Sequence, residues 1–165
     1  MQQPSSELHG PGHPEALSPA ARMRQRRLSV LAQAPLPRMA ALWRKTGLDP
    51  DIEILRGPEN GLVALRGRIG GTGQPFQVGE ASATRVTVRI IGGAVGHAMI
   101  TGRDNARAQL AATLDALAED PALTDRIEQE VIAPLEAEAA ARDAALGAEV
   151  AATRVNFFTL VRGDD

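Results

Sequence analysis

The chain contains no cysteine. That excludes disulfides, thiolate metal sites, cysteine-ligated iron–sulfur clusters and a cysteine nucleophile. It has no tyrosine, one tryptophan and three phenylalanines, so aromatics are only 2% of its 165 residues. The core must therefore be built from Leu, Val, Ile and Ala. Alanine fills little volume, and a core of this kind gains from partner subunits. Few aromatics and a pI of about 5.9 weigh against a nucleic-acid binder, which stacks bases and carries a basic surface. No stretch approaches the ~20 apolar residues that span a bilayer, and the Pro- and Gly-rich start does not resemble a signal peptide. A cytoplasmic protein is expected.

Net charge is −2, but its distribution is uneven. Residues 22–107 hold 14 Lys/Arg against 6 Asp/Glu, and residues 115–149 hold 10 Asp/Glu against 2 Arg. Either the two parts complement each other within the fold, or the basic part faces an anionic ligand or acidic partner.

Residues 1–20 read as a disordered leader, and 21–165 as one α+β domain. His9 and His13 are spaced like metal ligands, but a Pro/Gly tail gives that spacing little meaning. Ser18 and Pro19 open a helix whose Leu28, Leu31 and Ala32 share a face. Its "RMRQRR" is either a solvated face or a contact for phosphate or an acidic partner. A second helix follows, with Met39, Leu42 and Trp43 apolar and Gly47 as its stop. The period then changes to two. "DIEILR", "LVALRGRI", "PFQV" with "ATRVTVRII", and "VGHAMIT" predict an antiparallel meander of about four to five strands. Asn60-Gly61 reads as a turn, and Gly79 as a bulge or break. Asp104 caps the next helix. A long C-terminal helix from Thr124 carries the stripe Ile127, Val131, Leu135, Ala139, Arg142, Leu146 and Val150, with Pro134 expected to kink it. The helices are expected on one face of the sheet.

"RIGGTGQPF" resembles a phosphate-cradling loop, but a strand rather than a helix follows Gly73, so a hairpin turn fits better. A backbone contact to a partner or ligand is the second reading. His97, the only histidine outside the leader, sits in a strand. No nucleophile–base pair, metal set or cofactor motif is evident, so no catalytic residue is assigned. Arg85, Arg89 and Arg103 are candidate anion or partner contacts. Whether Arg66 and Arg68 share a face with Arg85 and Arg89 depends on register. "VNFFTLV" is apolar and β-prone, and in an extended segment Phe157 and Phe158 point to opposite faces. Residues 155–165 are therefore expected to form a docking segment on a sheet edge of this chain or of a partner.

Four stretches taken together, "NGLVALRGRIGGTGQPFQVGEASATRVTVRI", "TGRD", "VIAPLEAE" and "RVNFFTLVRGD", resemble PhnG, the small G subunit of the carbon–phosphorus lyase system for phosphonate breakdown. The resemblance runs from about Arg24 to Asp164. It departs from the family in the leader and around His97, where an aromatic residue is expected. It marks Gly70, Gly71, Thr72, Gly73, Arg154, Phe157, Phe158 and Arg162 as motif or interface positions. It implies a cytoplasmic complex with the H, I and J subunits, I being the direct partner. With H, I and the cassette-ATPase-like L, such a subunit is required to transfer ribose triphosphate from ATP to an alkylphosphonate, releasing adenine. The chemistry belongs to I and J, so this chain is expected to be accessory and inactive alone. The alternative from a different class is a small stand-alone anion- or nucleic-acid-binding module.

Overall fold

A computed structural model describes residues 17–68 and 73–152. Helix α1 (Pro19–Gln33) begins at the expected signals, and the Ser18 hydroxyl accepts a hydrogen bond from the Ala21 amide at 3.2 Å. Helix α2 (Leu36–Thr46) buries Met39 and Leu42 and ends at Gly47. Three strands follow, β1 (Ile52–Arg68), β2 (Pro75–Ile90) and β3 (Val95–Thr101), antiparallel in the order β1-β2-β3. Helix α3 (Asn105–Ala118) is capped by the Asp104 carboxylate, which accepts from the Arg107 amide at 2.9 Å. A single turn, α4 (Thr124–Ile127), leads through a π-helical turn (Glu128–Ile132) into α5 (Ala133–Ala152).

The α+β class, the antiparallel sheet and the helices on one face agree with the sequence. The number of strands differs: among the described residues there are three, rather than four to five. Asn60-Gly61 makes no turn, because β1 runs straight through it. The pairing with β2 shifts between Ile54 and Arg56 and again between Arg56 and Glu59, so the Gly-Pro stretch is taken up as bulges. Gly57 has φ +76, and a Cβ there would lie 2.6 Å from the Arg85 carbonyl oxygen. Pro58, which has no N–H, is tolerated at a bulge of an edge strand. Gly79 lies at a bulge too, since Leu65 pairs with Gly79 and Arg66 with Gln77, leaving Val78 extra. Gly and Pro signal bulges as readily as turns, and here the bulges won.

Helix α3 lies at the centre. Every residue from Ala111 to Ala118 is buried. It packs on the sheet at Gly96, where a Cβ would collide with the Ala112 carbonyl oxygen. Leu31, Met39, Val86, Val88, Ile100, Ile127 and Val131 complete the core, which contains no phenylalanine among the described residues, with Trp43 partly buried beside it. The irregularity expected of Pro134 takes the form of the π turn just before it, where the Ala133 amide bonds the Glu128 carbonyl. The long apolar stripe begins in the core at Ile127, Val131 and Leu135 and then runs out of it, because Ala140–Ala151 are all exposed.

Strand β3 pairs only with Ala83–Arg89. Beyond that, β1 and β2 continue alone, Leu62 opposite Ser82 through Arg68 opposite Pro75. This two-stranded arm extends past the third strand.

Candidate functional site

Of the Arg-rich stretch of α1, Arg27 turns inward and Arg24 partly so, while Arg22 and Arg26 stay exposed. Arg27 is 2% exposed and Asp115 fully buried. Arg24 donates to Asp115 Oδ2 at 2.7 Å and Arg27 Nε to Oδ1 at 3.4 Å. The same Oδ2 accepts the His97 main-chain N–H at 3.0 Å. Glu119 contacts both arginines. Arg26 bridges Glu128 at 3.0 Å and Glu136, and Arg38 pairs with Glu138 at 2.6 Å. The hydrogen bond to Asp115 holds the Arg24 guanidinium above its ordinary pKa. Hydrogen bonds from Arg26 and Arg38 hold Glu136 and Glu138 below theirs. The basic and acidic parts of the chain thus meet within the fold, at the seam joining α1, α3, β3 and α5. A buried pair of this kind adds little net stability but is costly to break. The sequence reading missed Asp115, although one carboxylate within the otherwise apolar run of α3 is a usable signal.

On the sheet's open face Arg85 donates to Glu59 at 2.8 Å, Arg56 to the same carboxylate at 3.2 Å, and Arg89 to Glu53 at 3.3 Å. The bonds from Arg56 and then Arg85 lower the Glu59 pKa. Arg85 and Arg89 are therefore tied to their own β1. The register also separates the four sheet arginines. Glu59 lies opposite Arg85, so Arg66 and Arg68, an odd number of residues further on, point to the other face. No single basic face unites them. His97 is on the open surface, its Nδ1 3.1 Å from the Thr87 hydroxyl. Among the described residues no three His, Asp or Glu gather as a metal site would require, and no helix is long and apolar enough to cross a membrane.

Arg103 is exposed in the turn between β3 and α3. Arg68 pairs with Pro75, and Gly73 lies just before β2. Gly70, Gly71 and Thr72 lie outside the described residues, as do Arg154, Phe157, Phe158 and Arg162.

The arm carries apolar side chains that its own body does not cover. Leu62 is 65% exposed, Val78 60%, and Leu65 and Phe76 each 45%. Val78 and Phe76 fold over Gly67, where a Cβ would meet Val78 Cγ2 at 2.7 Å. Alternation puts Leu62 on the face opposite Leu65, so the arm is apolar on both sides. The sequence reading took these as ordinary strand positions. The missing signal was the third strand, which stops short of them.

A family model described as "Phosphonate metabolism protein PhnG" matches residues 22–163. The chain is 45% identical over 145 residues to "Alpha-D-ribose 1-methylphosphonate 5-triphosphate synthase subunit PhnG" of Rhizobium meliloti (strain 1021), covering 86% of this chain and 90% of that protein. A family model matched over residues 22–163 and a relative 45% identical over most of both chains lead to one conclusion: the chain belongs to the PhnG family of phosphonate metabolism proteins.

Proposed function

We propose that this chain is an accessory, non-catalytic subunit of the synthase for which its rhizobial relative is named. In this reading it works in the cytoplasm with the H, I and J subunits, and with L, in organic phosphonate breakdown. It is required for moving ribose triphosphate from ATP to the alkylphosphonate, with loss of adenine, and holds no cofactor of its own. The I subunit is its direct partner. The observation that carries the reading is the arm: Leu62, Leu65, Phe76 and Val78 stand outside the chain's own core on a two-stranded extension. Exposed apolar side chains grouped in this way mark a protein–protein surface. Arg103, exposed beside the arm-bearing sheet, is a further contact for an anion or an acidic partner. Arg85 and Arg89 join it only if a partner displaces Glu59 and Glu53. Residues 155–165, with Arg154, Phe157, Phe158 and Arg162, form a docking segment.

Reconstitution tests the proposal. The purified chain, mixed with ATP and methylphosphonate, is expected to release no adenine. The H, I and L subunits together with this chain should form the ribosyl phosphonate, and omitting the chain should abolish it. Turnover by the isolated, metal-free chain, or an undiminished rate without it, contradicts the reading.

A further inference from the structure

On the open face of the sheet the side chains stand in rows. Thr87 pairs with Arg56 in β1 and with His97 in β3, and Arg85 pairs with Glu59 and with Met99. Directly opposed residues project to the same face. Arg56, Thr87 and His97 therefore form one row, and Glu59, Arg85 and Met99 the next. Of the six, Glu59 alone is acidic. It accepts from Arg56 Nε at 3.2 Å and from Arg85 Nε at 2.8 Å. Both contacts use Nε, and among the described residues the terminal Nη groups of the two arginines make no hydrogen bond. Each guanidinium is thus held at its base and presents its fork. Two cations share one anion, so the rows carry surplus positive charge and favour an incoming anion. The fork is the part of arginine that grips phosphate-like oxygens in pairs. A small anion reaches it with Glu59 in place, whereas a partner's bulkier side chain must displace Glu59.

A groove of about 330 Å³ adjoins these rows at the β3 edge of the sheet. Arg56, Arg85, Thr87 and His97 line it on the open-face side, while Glu59 lines a neighbouring hollow instead. Every titratable side chain in the groove is therefore basic. The rest of its lining is apolar. Leu28, Ala32 and Ile100 form the wall on the helix side. Met99, 56% exposed, stands opposite Arg85 and also borders Leu28 and Ala32 of α1. The strand edge adds a donor. In an antiparallel ladder every second residue turns both main-chain groups outward. His97 does so, because Asp115 accepts its N–H at 3.0 Å, and Met99, two residues on, does so too. Among the described residues nothing accepts the Met99 N–H. An apolar cleft with a few convergent polar groups is the usual form of a small-molecule site.

We propose that this groove binds a small organophosphonate by its anionic head and its organic substituent together. The head meets the Nη groups of Arg56 and Arg85, with His97 and the Met99 N–H as further donors. The substituent lies on Met99, Leu28 and Ala32. The site holds the molecule and does not transform it. The choice of a phosphonate among anions of this shape rests on the function proposed above, whereas the site rests on the geometry.

NMR on the full chain, without other subunits, tests it. The probes are phenylphosphonate (head and substituent), inorganic phosphate (head only) and benzyl alcohol (substituent only). Phenylphosphonate should move the His97 ring and Met99 methyl signals saturably. Inorganic phosphate should bind about tenfold more weakly, because no apolar surface is buried, and benzyl alcohol should not saturate. Arg56→Gln/Arg85→Gln should weaken phenylphosphonate binding about tenfold or more. Arg44→Gln/Lys45→Gln removes the same charge from the exposed end of α2 and should leave binding unchanged. Met99→Glu, at an exposed side chain, should also abolish binding, which covers an arginine variant that does not fold. Absence of shifts at His97 and Met99 overturns the proposal. So does phosphate binding as tightly as phenylphosphonate, or an equal loss in the Arg44/Lys45 variant. The two readings fail separately. A chain that binds phenylphosphonate but is dispensable in the reconstituted reaction strikes the proposed function, and an essential chain that binds none strikes this site alone.

Discussion

The helix seam and the hairpin arm use similar residues in opposite ways. At the seam Arg24, Arg26 and Arg27 meet Asp115, Glu119, Glu128 and Glu136, and Leu31, Leu114 and Leu117 of the same helices are buried. The seam is finished within one chain. On the arm Leu62, Leu65, Phe76 and Val78 stand exposed, and the nearby Arg66 has no carboxylate opposite it but Gln77. The difference comes from the third strand. Where β3 backs β2, a helix layer can cover one face. Where β3 stops, no second layer covers the arm among the described residues, and a two-stranded ribbon alone is marginal in water. The described residues close the seam and leave the arm open.

The comparison breaks most severely at Asp115. Asp115→Ala removes the buried carboxylate that Arg24 and Arg27 share and leaves the His97 N–H without its acceptor, while Arg27 keeps Glu119 and Glu128. A loss of about 3 kcal/mol is expected, large against the ~5–15 kcal/mol that holds a typical domain together. Urea unfolding measures it, and a loss below 1 kcal/mol would mean that the seam is not what joins α1 to the sheet. Gly96→Ala comes next. The added methyl meets the Ala112 carbonyl, so α3 must lift from the sheet, at a cost of about 1–3 kcal/mol, read as a lowered thermal midpoint. Unchanged stability there would show that α3 can move away freely.

Acid gives a smaller effect. Arg26 and Arg38 depress the folded-state pKa values of Glu136 and Glu138. Their contribution is therefore fully present above the ordinary carboxylate value of about 4.3. It is lost as pH falls below that value through the depressed ones. Both carboxylates are substantially exposed, so screening keeps the Glu136 pair to a surface-pair range of roughly 0–1 kcal/mol. The thermal midpoint should fall less steeply between about pH 5 and about pH 3 in Arg26→Gln than in the unaltered chain. Parallel curves would remove the pair from the account.

Much of this was legible in the sequence, and the exceptions have physical causes. Ser18-Pro19, Gly47 and Asp104 are local signals, and they ended or began helices where expected. The stripe Ile127–Leu135 found the core because period 3.6 needs no knowledge of neighbours. Strand number was misread because Gly57-Pro58 and Gly79 serve bulges as well as turns, and only the pairing partner decides which. The four sheet arginines could not be sorted into faces until the register with β2 was known. The "RMRQRR" cluster read as a solvated face, or as a contact for phosphate or an acidic partner, because its carboxylates lie about 90–110 residues away in the chain. The arm's exposure depends on the length of another strand, which no local pattern in β1 or β2 reports.

The arm variants have the smallest expected effect on stability and test the central claim most directly. In Leu62→Asp/Phe76→Asp the replaced side chains already face solvent, so stability should change by no more than about 0.5 kcal/mol per site. The measurement is co-purification of the I subunit with tagged chain, unaltered against the double variant, at matched folded concentration. The account predicts that the folded double variant no longer retains the I subunit while the unaltered chain does. Equal retention by both would contradict it and return the arm to ordinary surface.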